Sequence, residues 1–357
     1  MGTEIEVKKE EKTKRKSNIE LLRIICIIMI IAHHYTIHGG LGQYYTLGIN
    51  KKVAFVQILS IWGKMGCNIF MIITGYFMIK SKAKPKKLIL LLLEMIFYSL
   101  GIYAIFCIFH LATFSKDALM KSIFPMFFQN WFLVDYIIIY CLIPYFNEML
   151  QKLDKTTFKK FLGVLFIIGF CIPTLINKTI VNFNELGVLI VMYFVGAYIR
   201  LHTEEKSDKK YFWLMIAFDV ALVGLVLLWD FIGVKFQEVT YIKEATRFAQ
   251  INSAVVFGGA VYTFLFFKNN INFSSKVINF LSSSTLGVYL IHDNPYIRGW
   301  VWNKISPEKA YMSSNMILVH AVAKILIIFI ICIIIDKIRI VIIIFFVLIR
   351  PNSFFIC

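Results

Sequence analysis

The chain has 357 residues, a formal net charge of +17, 59% hydrophobic residues with 34 Phe among them, and a mean hydropathy of +0.73. Soluble domains are only about half apolar, so this composition excludes one and points to an all-α polytopic membrane protein. Lys and Arg fall in short clusters between apolar runs instead of on one patch, which argues against a nucleic-acid partner and reads as topology signalling.

Residues 1–17 are short, of mixed charge and rich in Lys, the composition of a cytosolic basic tail. A first span follows over 18–38, with Ser17 and Glu20 at the spacing of a capping box. No small-residue cleavage pattern ends it, so the span is expected to stay in the mature protein. The next apolar stretch, 53–79, exceeds one crossing. Its spanning part is placed at 61–79, with 53–60 at the outer surface and Lys64 snorkelling outward. Further spans are expected at 88–112, 129–147, 161–177, 187–200, 211–232, 248–267, 277–297 and 313–335, with Gly169 and Gly196 interrupting two of them. About ten spans place both termini on one side, and Lys and Arg are about twice as numerous on that side, which assigns it to the cytosol. The transmembrane domain is thus expected over 18–335. Residues 336–357 form a tail whose apolar run before Arg350-Pro351 is too short to span and suits an interfacial helix. Seven Cys, mostly inside apolar runs and without a CxxC pair, indicate neither a disulfide framework nor a zinc site.

The first span carries the chemistry. Arg23 and His34 are eleven residues apart, which returns to nearly the same helix face roughly 16 Å further along the axis. An ionisable group in a span faces a cavity or a partner, or snorkels to the headgroups, and Arg23 is near enough to the helix start for either. His34 is the candidate general base, because a neutral imidazole accepts a proton near working pH. His33 lies about 100° away and reads as a neighbour-helix contact. His34 and His38 share a face, but no nearby carboxylate or Cys completes a ligand set, so no metal is expected.

The opening Asn18-Ile19-Glu20-Leu21-Leu22-Arg23 and the Arg23-x10-His34 spacing resemble the signature of the family-3 integral-membrane acyltransferases. Cys67-Asn68-Ile69-Phe70 through Thr74-Gly75-Tyr76-Phe77 is similar to the family's second-span pattern, and Ser284 through Tyr289-Leu290-Ile291-His292 to its late Tyr-Leu-x-His span. Trp131-Phe132 with Pro144 resembles the fourth span. The resemblance, over residues 17–340, implies an O-acetyltransferase of a bacterial plasma membrane, acting on an envelope glycan or lipid-linked glycan among membrane lipids. It implies no bound cofactor, with acyl-CoA, acetyl-CoA first, as co-substrate. Its phosphates call for cytosolic cations, for which Arg23 and the Lys84, Lys86, Lys87 cluster are candidates. Plain topology signalling is the competing reading of the lysines. His33, Asn68, Trp131, Asp135, Tyr289 and His292 are cavity candidates, as are Glu94 and Asp293; a buried structural hydrogen bond, a neighbour-helix contact or an interfacial belt is the alternative.

Many family members carry an Arg-x-x-Arg element after the second span. This chain has Lys-Lys-Leu-Ile-Leu-Leu-Leu-Leu-Glu from Lys86 to Glu94 instead, so the donor's hold differs here. The rival class is a polytopic carrier or flippase. The two halves show no matching pair of Gly- or Pro-broken spans, and the Arg-His stripe has no counterpart in the second half.

Overall fold

The computed structural model describes residues 16–176 and 183–349, and among them there are helices and no strands. Residues 1–15 of the basic tail and 350–357 lie outside the described residues. Helix α1 spans Asn18–His38, α2 Lys51–Ser60 and α3 Gly63–Met78, so the long second stretch divides as its length requires into a short flanking helix and a span. Then come α4 (Pro85–Ile108), the short α5 (Lys116–Ile123) and α6 (Pro125–Phe128), and α7 (Trp131–Gln151) with Pro144 inside it. Helices α8 (Lys155–Phe166) and α9 (Ile172–Leu175) are joined by a π-helical turn, Ile167–Cys171. The expected break at Gly169 is therefore a local widening inside a continuing helix, as π turns usually are. Helices α10 (Glu185–His202), α11 (Lys209–Phe236), α12 (Val239–Lys243) and α13 (Ala254–Asn270) follow.

Nine stretches among the described residues are long and apolar enough to cross a membrane. The expected span at 277–297 is not one of them, because it is built from three short helices: α14 (Lys276–Ser282), α15 (Thr285–His292) and α16 (Pro295–Asn303). These still accompany α1 along its whole length. Ser17 Oγ donates to Asn279 Oδ1 at 2.9 Å, Ser282 Oγ to Glu20 Oε2 at 2.7 Å, and Trp302 meets Tyr35 edge-on at 6.3 Å. The broken segment thus covers the same depth as α1. Those contacts also replace the expected capping box: the Ser17 side chain caps nothing in its own helix, and both residues tie α1 to α14.

The last helix, α17, runs unbroken over Ile317–Ile349. No separate interfacial helix begins after residue 336; the apolar residues that suggested one continue the span. Near that point Arg339 binds Glu94 of α4 and Asp336 at 2.8 Å each, and Tyr98 donates to Asp336 Oδ1 at 2.6 Å. Glu94 is thereby spent on locking α4 to α17.

The tightest helix pair is α3 with α10. A Cβ at Gly75 would strike the Tyr193 backbone, and one at Gly196 the Ile72 backbone. Between helices in lipid there is little hydrophobic driving force, so close van der Waals approach over small residues does the work. Gly196, expected to interrupt a span, is a packing point inside an intact one.

Candidate active site

A cavity of about 310 Å³ lies among α1, α3, α4, α7 and α15. At the end where α1 begins it is bounded by Arg23, Met78, Lys87 and Tyr140; at the other end by Ile30, Cys67, Phe132 and Tyr289. Arg23, Ile27 and Ile30 follow one face of α1, and one more turn along that face brings His34. The cavity therefore stops about a turn short of the histidine. Its walls are mainly apolar, with cations only at the Arg23 and Lys87 end.

Beyond the Ile30 and Tyr289 end sits a polar cluster. His292, which is fully buried, places Nδ1 2.6 Å from Val288 O and Nε2 3.0 Å from His34 Nδ1. A carbonyl oxygen can only accept, so His292 Nδ1 carries the proton and its Nε2 the lone pair. His34 Nδ1–H must then be the donor between the two rings. Asp293 Oδ1, 3.4 Å from the same His34 nitrogen, favours that tautomer again. The consequence is chemical: the lone pair of neutral His34 is on Nε2, which has no hydrogen bond among the described residues. This is the logic by which a carboxylate orients an imidazole base in hydrolytic triads. Arg298 Nη2 donates to Asp293 Oδ1 at 2.9 Å and to Asp293 O at 3.0 Å, so the buried carboxylate is charge-paired.

His38 Nε2 also lies 3.4 Å from Asp293 Oδ1, and His34, His38 and Asp293 together could hold a metal ion. The carboxylate missing near the histidines in the sequence thus arrives from more than 250 residues away. The Arg298 guanidinium on the same oxygen opposes a dication there, and the arrangement is better suited to holding a proton.

Five of the residues singled out in the sequence converge: Arg23 and Tyr289 in the cavity wall, His34, His292 and Asp293 just past its end. Lys87 joins them at the mouth, whereas Lys84 and Lys86 do not line it; Lys84 exchanges backbone hydrogen bonds with the Tyr140 hydroxyl. His33 Nδ1 lies 2.6 Å from Ser60 O, a contact between α1 and α2. Asn68 is buried and donates to Ile251 O at 3.0 Å, away from the cavity. Trp131 is half-exposed with Lys64 4.2 Å over its ring, and Asp135 is half-buried off the lining; their neighbours Phe132, Leu133 and Tyr136 reach the cavity instead. Arg298 escaped sequence reading altogether. Its signal, an arginine five residues after an acid that ends an apolar run, acquires meaning only when α15 stops at His292.

A helical membrane bundle with an oriented imidazole one turn beyond a cavity that carries cations at its other end is an arrangement suited to a membrane-embedded transfer enzyme. The family model of the family 3 acyltransferase domain matches residues 16–337, and the chain belongs to that family. Comparison with curated proteins and with solved structures returns no match.

Proposed function

We propose that this membrane acyltransferase moves an acyl group, acetyl first among the candidates, from cytosolic acyl-CoA to a hydroxyl of an envelope or cell-surface glycan. The observation that carries the reading is the alignment along one helix of a cavity with cations at one end and, a turn beyond the other end, the free His34 Nε2. The excess of Lys and Arg on the side where α1 begins supports a cytosolic mouth. Arg23 and Lys87 there suit phosphate oxygens, and Arg23, whose nearest carboxylate oxygen on Glu20 is 3.8 Å away, keeps donors to offer. The apolar tube suits a pantetheine arm with the thioester at the Cys67 and Tyr289 end.

From the opposite side the acceptor hydroxyl meets His34. Its proton passes to Nε2 as its oxygen attacks the thioester carbonyl carbon. The tetrahedral intermediate collapses with cleavage of the C–S bond, and the departing thiolate takes the proton back from His34, leaving an O-acyl ester, free CoA and a neutral imidazole. Asp293 and His292 keep the ring oriented and stabilise the imidazolium between the two proton transfers.

Membranes containing the protein, incubated with labelled acetyl-CoA, are expected to transfer label into the envelope-glycan fraction. Label confined to water-soluble acetate or absent from the glycan would reject the acceptor class. In a cysteine-free background, Lys84→Cys and Lys209→Cys are expected to be shielded from an impermeant thiol reagent in intact cells, while Lys51→Cys and Lys243→Cys react. Labelling of Lys84→Cys from outside would reverse the assigned direction of transfer.

A further inference from the structure

The Ile30 and Cys67 end of the cavity holds one polar group that the mechanism above leaves idle. Tyr289 is 8% exposed, its ring forms part of the cavity wall, and its hydroxyl is buried with no hydrogen-bond partner among the described residues. The ring is fixed from two sides, edge-on against Phe132 at 6.3 Å and His292 at 6.1 Å. Buried tyrosine hydroxyls ordinarily find a partner, and one left without is costly unless something arrives to accept its proton. Asp293 lies close enough to act on the hydroxyl electrostatically, but the two lack hydrogen-bond geometry, and Asp293 Oδ1 accepts from Arg298 instead. Tyr289 and His292 are three residues apart, so they share a face of α15. The Tyr289 hydroxyl and His292, the ring that orients the base His34, are thereby presented from one side of α15 to the place where a thioester carbonyl would end.

Resting on the acyltransferase reading, we propose that the Tyr289 hydroxyl donates a hydrogen bond to the thioester carbonyl oxygen and holds it as that oxygen becomes the oxyanion of the tetrahedral intermediate. No bond to Tyr289 forms or breaks and its proton stays on the phenol. A neutral donor already aimed and stripped of water needs no reorganisation when the charge develops, which is why such donors are effective.

Tyr289→Phe is the decisive variant, because it keeps the ring and removes only a hydroxyl that makes no hydrogen bond among the described residues. With equal amounts of protein in membranes and acetyl-CoA varied, the maximal rate of glycan labelling is expected to fall about 10²-fold or more, with the KM for acetyl-CoA within about twofold of the parent. The purified variant should melt no lower than the parent. An unchanged maximal rate, or a rise in KM at a retained maximal rate, would overturn the proposal. Should Tyr289→Phe accumulate poorly, 3-fluorotyrosine at position 289 keeps ring and hydroxyl while changing donor strength; a changed maximal rate supports the role and an unchanged one overturns it. A parent protein that transfers no label overturns the acyltransferase reading itself, a result distinct from a parent and Tyr289→Phe that label equally.

Discussion

Two helix seams in this bundle are built from opposite chemistry. Along α1 and the broken α14–α15 segment the contacts are polar side chains: Ser17 with Asn279, Glu20 with Ser282, His34 with His292. Between α3 and α10 the contacts are backbone against backbone across Gly75 and Gly196, flanked by the buried Ile72, Ile73 and Val195. The first seam juxtaposes groups that can exchange protons at membrane depth, and its hydrogen bonds can be lost one at a time. The second has no such redundancy, because any added carbon meets main chain that cannot yield. Function should therefore fail at the first seam with the protein intact, and the protein itself should fail at the second.

The sharpest separation is at His34. His34→Gln keeps a hydrogen-bonding side chain but no proton acceptor of the right basicity, so label transfer is expected to drop by about 10²–10⁴-fold at unchanged abundance. Near-normal transfer would demote His34 to a positioning group and blur the contrast between the seams. Gly196→Leu tests the other side. Forcing a side chain into the Ile72 backbone is expected to cost about 1–3 kcal/mol or more, seen as lowered abundance and melting temperature, with specific activity retained in whatever protein remains. A variant that is abundant but inactive would contradict the division of labour.

Smaller effects refine the polar seam. Arg23→Lys keeps the charge but loses the planar fork, so the KM for acyl-CoA should rise about tenfold if the guanidinium meets a phosphate. A headgroup anchor would tolerate the change, and an unaltered KM would remove Arg23 from the donor site. His33→Ala removes the hydrogen bond with Ser60 O and the tilted ring contact with His34 at 5.8 Å. Its cost should be about 1 kcal/mol of stability, and transfer should stay within about threefold of the parent. A loss as deep as that of His34→Gln would mean that the two neighbouring histidines work as one unit.

Much of the fold was legible because hydropathy and punctuation are local. The first helix occupies 18–38 as expected, and the division of 53–79 into a flanking helix and a span follows from its excess length. What misled was also local. Gly169, Gly196 and the Ser17-Glu20 pair carry signals of interruption and capping, yet a π turn, a close helix crossing and a contact with α14 use them instead. Similarly, residues after 336 looked like a separate short segment because the polar Asp336, Lys337 and Arg339 punctuate the run. Pairing of Arg339 with Glu94 and Asp336 lets the helix pass through that point.

The sequence alone determined that the chain is a helical membrane protein, which family it resembles, and that Arg23 and His34 share a face, since hydropathy, motif order and helical periodicity are all properties of consecutive residues. Only the tertiary structure decided which nitrogen of His34 is free, because that depends on Val288 O, His292 and Asp293 meeting α1 from more than 250 residues away. It likewise decided that Tyr289 reaches the cavity while Asn68 and Trp131 do not. A side chain's motif tells which chemistry it can perform. Whether it performs that chemistry depends on which helices are packed against it, and packing in lipid is set by non-local shape complementarity that no single stretch of sequence contains.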